Sequence, residues 1–307
     1  YTDTQDVSTM NTGIGFDRIK SRYIIALFFF TWVLIPELLT RFWIDARDTP
    51  WYWVDIIYYY PAHLADIGFL VVALALVRPD LRRLFGQTPT QYEWRLLLHT
   101  SFLLFSLSSA LLLAIYIPLS YPFPQFIQWW LGWVYAPTIY LDHNGSLPVV
   151  ANTLSWLSMV VLAPVTEELL FRGFLLHRWA ARWGMTSAII ASSLLFGVLH
   201  PDPLGAALFG VGMCLLYLRT RSLWVPIIAH ALNNLLAWLL ELNGILDEGL
   251  KYYDYGLEEF RGDWGYGIMW AVATLVAGAL FLSPKPRKER AELNNATSKS
   301  ENLRAGE

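Results

Sequence analysis

The chain has 307 residues, 55% of them hydrophobic and only 15% charged, with a mean hydropathy of +0.40. A soluble domain carries about a quarter charged residues, so the composition points to a membrane protein, and a net charge of −3 gives no basis for a nucleic-acid partner. The single Cys214 excludes an internal disulfide and any multi-cysteine metal site.

A polar N-terminal segment occupies 1–21. The apolar run behind it lacks a small-residue cleavage site, so no cleavable signal peptide is expected. A helix needs about 20 mostly apolar residues to cross the hydrocarbon core. Candidate spans lie at roughly 22–41, 52–77, 96–118, 149–171, 185–200, 204–219, 224–241 and 265–283, about eight in all. The predicted fold class is therefore all-α, a polytopic transmembrane helical bundle. N-terminal transmembrane helices fill 22–148. Within them the aromatic segment at 125–142 contains Gly and Pro and reads as interfacial or re-entrant. A helical core follows at 149–241, then an acidic loop at 242–264, a last span at 265–283 and a disordered cytoplasmic tail at 284–307. Fifteen Trp and sixteen Tyr suit rings that anchor helices at both interfaces.

Charge sets the orientation. "RIKSR" precedes the first span and "RPDLRR" follows the second; Arg178 and Arg182 follow the fourth, "LRTR" the sixth and "KPRKER" the eighth. Threading eight spans places every one of these clusters on one side and the acidic loop on the other. The positive-inside rule then makes both termini cytoplasmic. The expected location is multi-pass in a membrane, with size and the lack of organelle signals pointing to a prokaryotic plasma (inner) membrane.

Ionisable groups inside spans are functional candidates, because each costs several kcal/mol unless paired or hydrated. Glu168 and Arg172 stand at i and i+4, within ion-pairing reach on one helix face. Glu167 is rotated about 100° away and is free to point into a cavity. Glu167 lies sixteen residues before the turn at Trp183, and His200 sixteen residues after Gly184, so an antiparallel hairpin places them at similar height. Phe196 sits one turn before His200, and Pro201 ends the helix behind it. In "HALNN", His230 and Asn234 face together at i and i+4. A carboxylate with a nearby imidazole can hold a water and take its proton, and an imidazole and an amide one turn apart can donate to an oxyanion.

Three motifs, "EELLFR" (Glu167, Glu168, Arg172), "FGVLH" (Phe196, His200) and "HALNN" (His230, Asn234), resemble those of the CPBP family, the CAAX-protease and bacteriocin-processing glutamic intramembrane proteases that include the Ras-converting type. The resemblance covers about 150–240 and makes 149–241 the catalytic core. It implies that Glu167 and His200 activate the attacking water, that His230 and Asn234 stabilise the oxyanion, and that Arg172 braces the glutamate pair; Glu168 counts with them among the catalytic residues, while its spacing from Arg172 alone reads as a structural ion pair. The implied substrate is a membrane-associated or lipid-modified peptide or protein cut near its C-terminus, within the lipid bilayer.

Other readings compete. No cofactor is needed for glutamic catalysis, but zinc on Glu167, His200 and His230 would leave the open position of a catalytic site; HExxH is absent. A non-catalytic peptide-binding or bacteriocin-immunity protein would keep the cluster and cut nothing. A transporter would show repeats or broken helices in corresponding halves, and neither is visible. Asp55, His63 and Asp66 in the second span fit hydrogen bonds that tie the bundle better than a substrate path. Glu37 and His99 read as interfacial, while His143 and His177 carry no signal. Oligomeric state is not legible. Reporter fusions should place the 242–264 loop outside the cytoplasm; cytoplasmic reporter activity there would reverse the orientation.

Overall fold

The computed structural model describes residues 20–43, 49–78, 80–250 and 255–282. Nearly all of the expected N-terminal segment and the whole tail at 284–307 lie outside the described residues. The described chain is helical, with no strand. Seven of its helices are long and apolar enough to cross a membrane: α1 (Ser21–Trp43), α2 (Trp51–Val77), α4 (Gln91–Leu119), α6 (Val149–Trp183), α8 (Pro203–Thr220), α9 (Trp224–Asp247) and α11 (Trp264–Leu282). Short helices α3 (Leu81–Phe85), α5 (Pro124–Val134) and α10 (Leu257–Gly262) lie between them. The chain is a polytopic helical bundle.

The eighth expected span is α7 (Met185–Val198), with only 14 residues. It starts at Gly184, whose φ of 82° turns the chain back from α6. It stops because Pro201 has no N–H and Pro203 opens the next helix under an Asp202 cap that accepts from Gly205 N. Helix α6 departs the other way. Its 35 residues run past 171 and carry Arg178 and Arg182 on helix rather than in a loop. Hydropathy fades where charge begins, but backbone hydrogen bonding does not. For the same reason α9 continues to Asp247, beyond the expected end at 241.

Two stretches of α6, Leu157–Leu162 and Leu169–Leu175, are π-helical. Such bulges cost hydrogen-bond quality and are found mostly at functional sites. In the first, Ala163 N bonds Ser158 O in the i−5 register. The next residue is Pro164, which has no N–H to give Met159 O. A span in lipid must satisfy that carbonyl from elsewhere.

Helix α6 sits at the centre, touching α2, α7, α8 and α9, while α4 backs α8, α9 and α11. The core around it includes Phe171, Phe174, Phe196, Phe209 and Met213, all buried. The outer surface is inverted relative to a soluble protein: Leu275 is 73% exposed, Ile268 64% and Leu76 70%. An apolar belt of this kind faces lipid, not water. Helix α5 exposes Phe126, Trp129 and Trp133 and buries Ile127, Trp130 and Leu131, and the Trp130 indole donates to Pro201 O at 2.8 Å.

Gly210 on α8 brings that helix against α7, since a Cβ there would lie 3.0 Å from Ser193 Cα. Gly210→Val is expected to lower stability by about 1–3 kcal/mol through overpacking, read as a lower thermal midpoint in detergent.

Candidate active site

The bundle gathers Glu167, Glu168 and Arg172 from α6, His200 from the turn after α7, and His230 and Asn234 from α9. It is built outward from a sealed pair. Arg172 Nη1 donates to Glu168 Oε1 at 2.6 Å, with side chains only 1% and 0% exposed. Arg172 Nη2 donates to Gly210 O at 3.1 Å, and the guanidinium lies 4.9 Å from the Phe196 ring centroid. The pair forms across a change of register, since Glu168 ends the α-helical stretch Ala163–Glu168 and Arg172 lies within the π stretch Leu169–Leu175.

On the same oxygen, Glu168 Oε1 accepts from His230 Nδ1 at 2.9 Å. That bond fixes the imidazole and turns its Nε2 toward Glu167 Oε2, 3.9 Å away. From the other side, His200 Nε2 stands 3.7 Å from the same Glu167 oxygen. His200 Nδ1 lies 2.7 Å from Phe196 O and so carries its proton to that carbonyl, leaving Nε2 with a lone pair facing Glu167. The Phe196 ring stacks on His200 with centroids 4.2 Å apart. Glu167 Oε2 has no hydrogen-bond partner.

Exposure grades across the cluster. Glu168, Arg172 and His230 are closed off, Glu167 is 14% exposed and His200 31%. The carboxylate chosen by spacing as the free one keeps a little exposure and an unpartnered oxygen, and the other is consumed by structure.

Asn234 makes a bond that was not expected from the sequence. Its Nδ2 donates to Met159 O at 2.9 Å, supplying the bond that Pro164 cannot. One amide proton remains for other work. Among the described residues, no group of three or more His, Cys, Asp and Glu is arranged to hold a metal ion.

Several supporting groups were not singled out from sequence. Met159 O and Pro164 act together, and the signal was available, since a proline inside a span always orphans a carbonyl. Gly210 contributes a carbonyl, which no side-chain pattern reveals. His177, set aside earlier, is buried and lies 3.0 Å from both Arg172 O and Gly173 O, with Tyr217 OH 3.1 Å from its other nitrogen. It ties down the second π stretch. In α2, Asp66 accepts from Thr31 Oγ1 and Trp32 Nε1, each at 2.7 Å, joining α1 to α2. Asp66 also lines a small apolar cleft with Phe28, Phe69, Leu70, Thr166 and Leu170.

Comparison with known proteins points to the same segment. Residues 149–236 match the family model described as "Type II CAAX prenyl endopeptidase Rce1-like", and all six site residues lie inside it. A "Putative membrane peptidase YdiL" of Bacillus subtilis (strain 168) is 30% identical over 88 residues, covering 28% of this chain and 36% of the relative. An "Uncharacterized 24.3 kDa protein" of Escherichia coli is 38% identical over 93 residues, 28% of this chain and 42% of the relative. A "CAAX prenyl protease 2" of Homo sapiens is 30% identical over 104 residues, 26% of this chain and 32% of the relative. The matches thus span 32% to 42% of these relatives' lengths. No solved structure matches. The resemblance to CAAX endopeptidases holds over this segment.

Removing one partner of a buried ion pair leaves an uncompensated charge and costs about 3–5 kcal/mol. Arg172→Ala should lose that much in thermal unfolding. Combining it with Glu168→Gln should recover part of the loss.

Proposed function

We propose that the chain is an intramembrane endopeptidase of glutamic type. It hydrolyses a peptide bond in a membrane-associated or lipid-modified peptide or protein, near that substrate's C-terminus, in a prokaryotic plasma membrane. The observation that carries the reading is the pair of acceptors, Glu167 Oε2 and His200 Nε2, 3.7 Å apart, with the His200 side chain 31% exposed beside them. Two acceptors cannot bond each other, but one water can donate a proton to each. The Rce1-like segment and the relatives named as a membrane peptidase and a prenyl protease support peptide hydrolysis as the reaction.

The step then follows from the groups present. Glu167 takes a proton from the water as its oxygen attacks the scissile carbonyl carbon. The carbonyl π pair moves onto oxygen, and the oxyanion is met by His230 Nε2 and the remaining proton of the Asn234 amide. His230 can donate from Nε2 only with both ring nitrogens protonated, since Nδ1 already serves Glu168. Collapse of the intermediate breaks the C–N bond, and the proton held by Glu167 passes to the leaving nitrogen. Met159 O and Arg172 hold Asn234 and Glu168 in place, so little reorganisation is needed.

Purified protein should cleave a library of membrane peptides. Glu167→Gln and His200→Ala should each slow cleavage by about a hundredfold or more, the usual reach of general-base catalysis. Activity should survive a strong chelator. Chelator-sensitive cleavage restored by zinc would make these side chains metal ligands instead. A wild type that binds peptide without cutting would favour a binding or immunity protein.

A further inference from the structure

We infer that Glu241 is a positioning residue, latching the segment at 138–141 across one end of the bundle so that α9 presents Asn234 squarely to α6. The inference rests on the peptidase reading for its kinetic consequence only.

Glu241 stands seven residues beyond Asn234 on α9, two turns along the same face. A carboxylate near a membrane-spanning segment is costly without donors. Here one oxygen accepts from Thr138 N at 2.9 Å and Ile139 N at 3.0 Å, and the other from the Thr138 hydroxyl. Charge-assisted bonds to two consecutive amides are roughly twice as strong as neutral ones, and they fix the direction of the segment they hold.

The same segment is tied to α6. Ser155 Oγ donates to Thr138 O, and the Asn152 amide both accepts from Tyr140 N at 2.7 Å and donates to Tyr140 O at 2.9 Å. Ser155 lies one turn before Met159, whose carbonyl Asn234 holds. The latch and the Asn234 contact are therefore two rungs between the same pair of helices, about 10 Å apart along α9 at 1.5 Å per residue. Packing continues on the far side of the latch from Asn234. Ile139 and Leu141 are buried with Ile245, and Tyr140 with Ile56 and Ala151. Without the upper rung, α9 is free to swing about the lower one, and Asn234 would give up the angle on which its second proton depends.

The test uses the full chain purified in detergent. Glu241→Ala should lower kcat by about tenfold to a hundredfold, the scale of a 1 Å misplacement, with KM little changed. Glu241→Gln should recover most of the loss, since its carbonyl oxygen can take both amides and its NH2 can donate to the Thr138 hydroxyl. In an Asn234→Ala background, Glu241→Ala should add nothing. A second readout needs no activity. A cysteine at Ile245→Cys should react with a maleimide faster when Glu241→Ala is also present, against the buried Cys214 as background. Unchanged kcat in Glu241→Ala, or a loss that multiplies fully on Asn234→Ala, overturns the inference. Equal labelling rates overturn the latch itself. If the wild type cuts nothing, the peptidase reading fails, and labelling still decides the latch.

Discussion

The site depends on one buried ion pair. Arg172 and Glu168 stand a turn apart on α6 with almost no exposure, and each reaches a neighbouring helix. Arg172 reaches the backbone of α8 at Gly210, and Glu168 the His230 imidazole of α9. Desolvating two charges is expensive, and their mutual attraction alone offsets it poorly. What makes the arrangement stable is the extra bonding: a backbone carbonyl, an imidazole and the face of Phe196 complete the shell. The same shell makes Glu167 distinct. With its neighbour committed to structure, it is the carboxylate left with both some exposure and an unpartnered oxygen.

The helix that carries this pair is itself irregular, and the irregularity is organised. Each π stretch shifts the carbonyl register, and each is met by a side chain from outside the ladder or from the next turn. Asn234 serves the first and His177 the second. Asn234 therefore joins backbone repair to its proposed chemistry. The two tasks are compatible because a primary amide has two protons.

Much of this was legible in the sequence for definite reasons. Spacing of 3.6 residues per turn separated Glu167 from the Glu168 and Arg172 pair, and equal residue counts from a turn put Glu167 level with His200. Hydropathy found every long helix, because lipid demands apolar side chains for about 20 residues. It failed at the ends of α6 and α9, where the helix persists into polar sequence and only the backbone ladder marks the boundary. It also overstated α7, whose proline-bounded length is not a matter of polarity. Backbone acceptors such as Gly210 O and Met159 O leave no composition trace. The Glu241 bonds to Thr138 and Ile139 join residues about a hundred apart in sequence, and no local pattern encodes that.

The shortness of α7 bears on where a hydrolase inside a bilayer finds water. At 1.5 Å per residue its 14 residues reach about 21 Å, against a hydrocarbon thickness of about 30 Å. A helix that falls short of its bilayer draws the headgroups inward or lets the aqueous phase dip beside it. His200 stands two residues past the end of this helix. On the peptidase reading, the shortfall that disqualifies α7 as a full span shortens the path of water to His200, and membranes of different thickness would change that path.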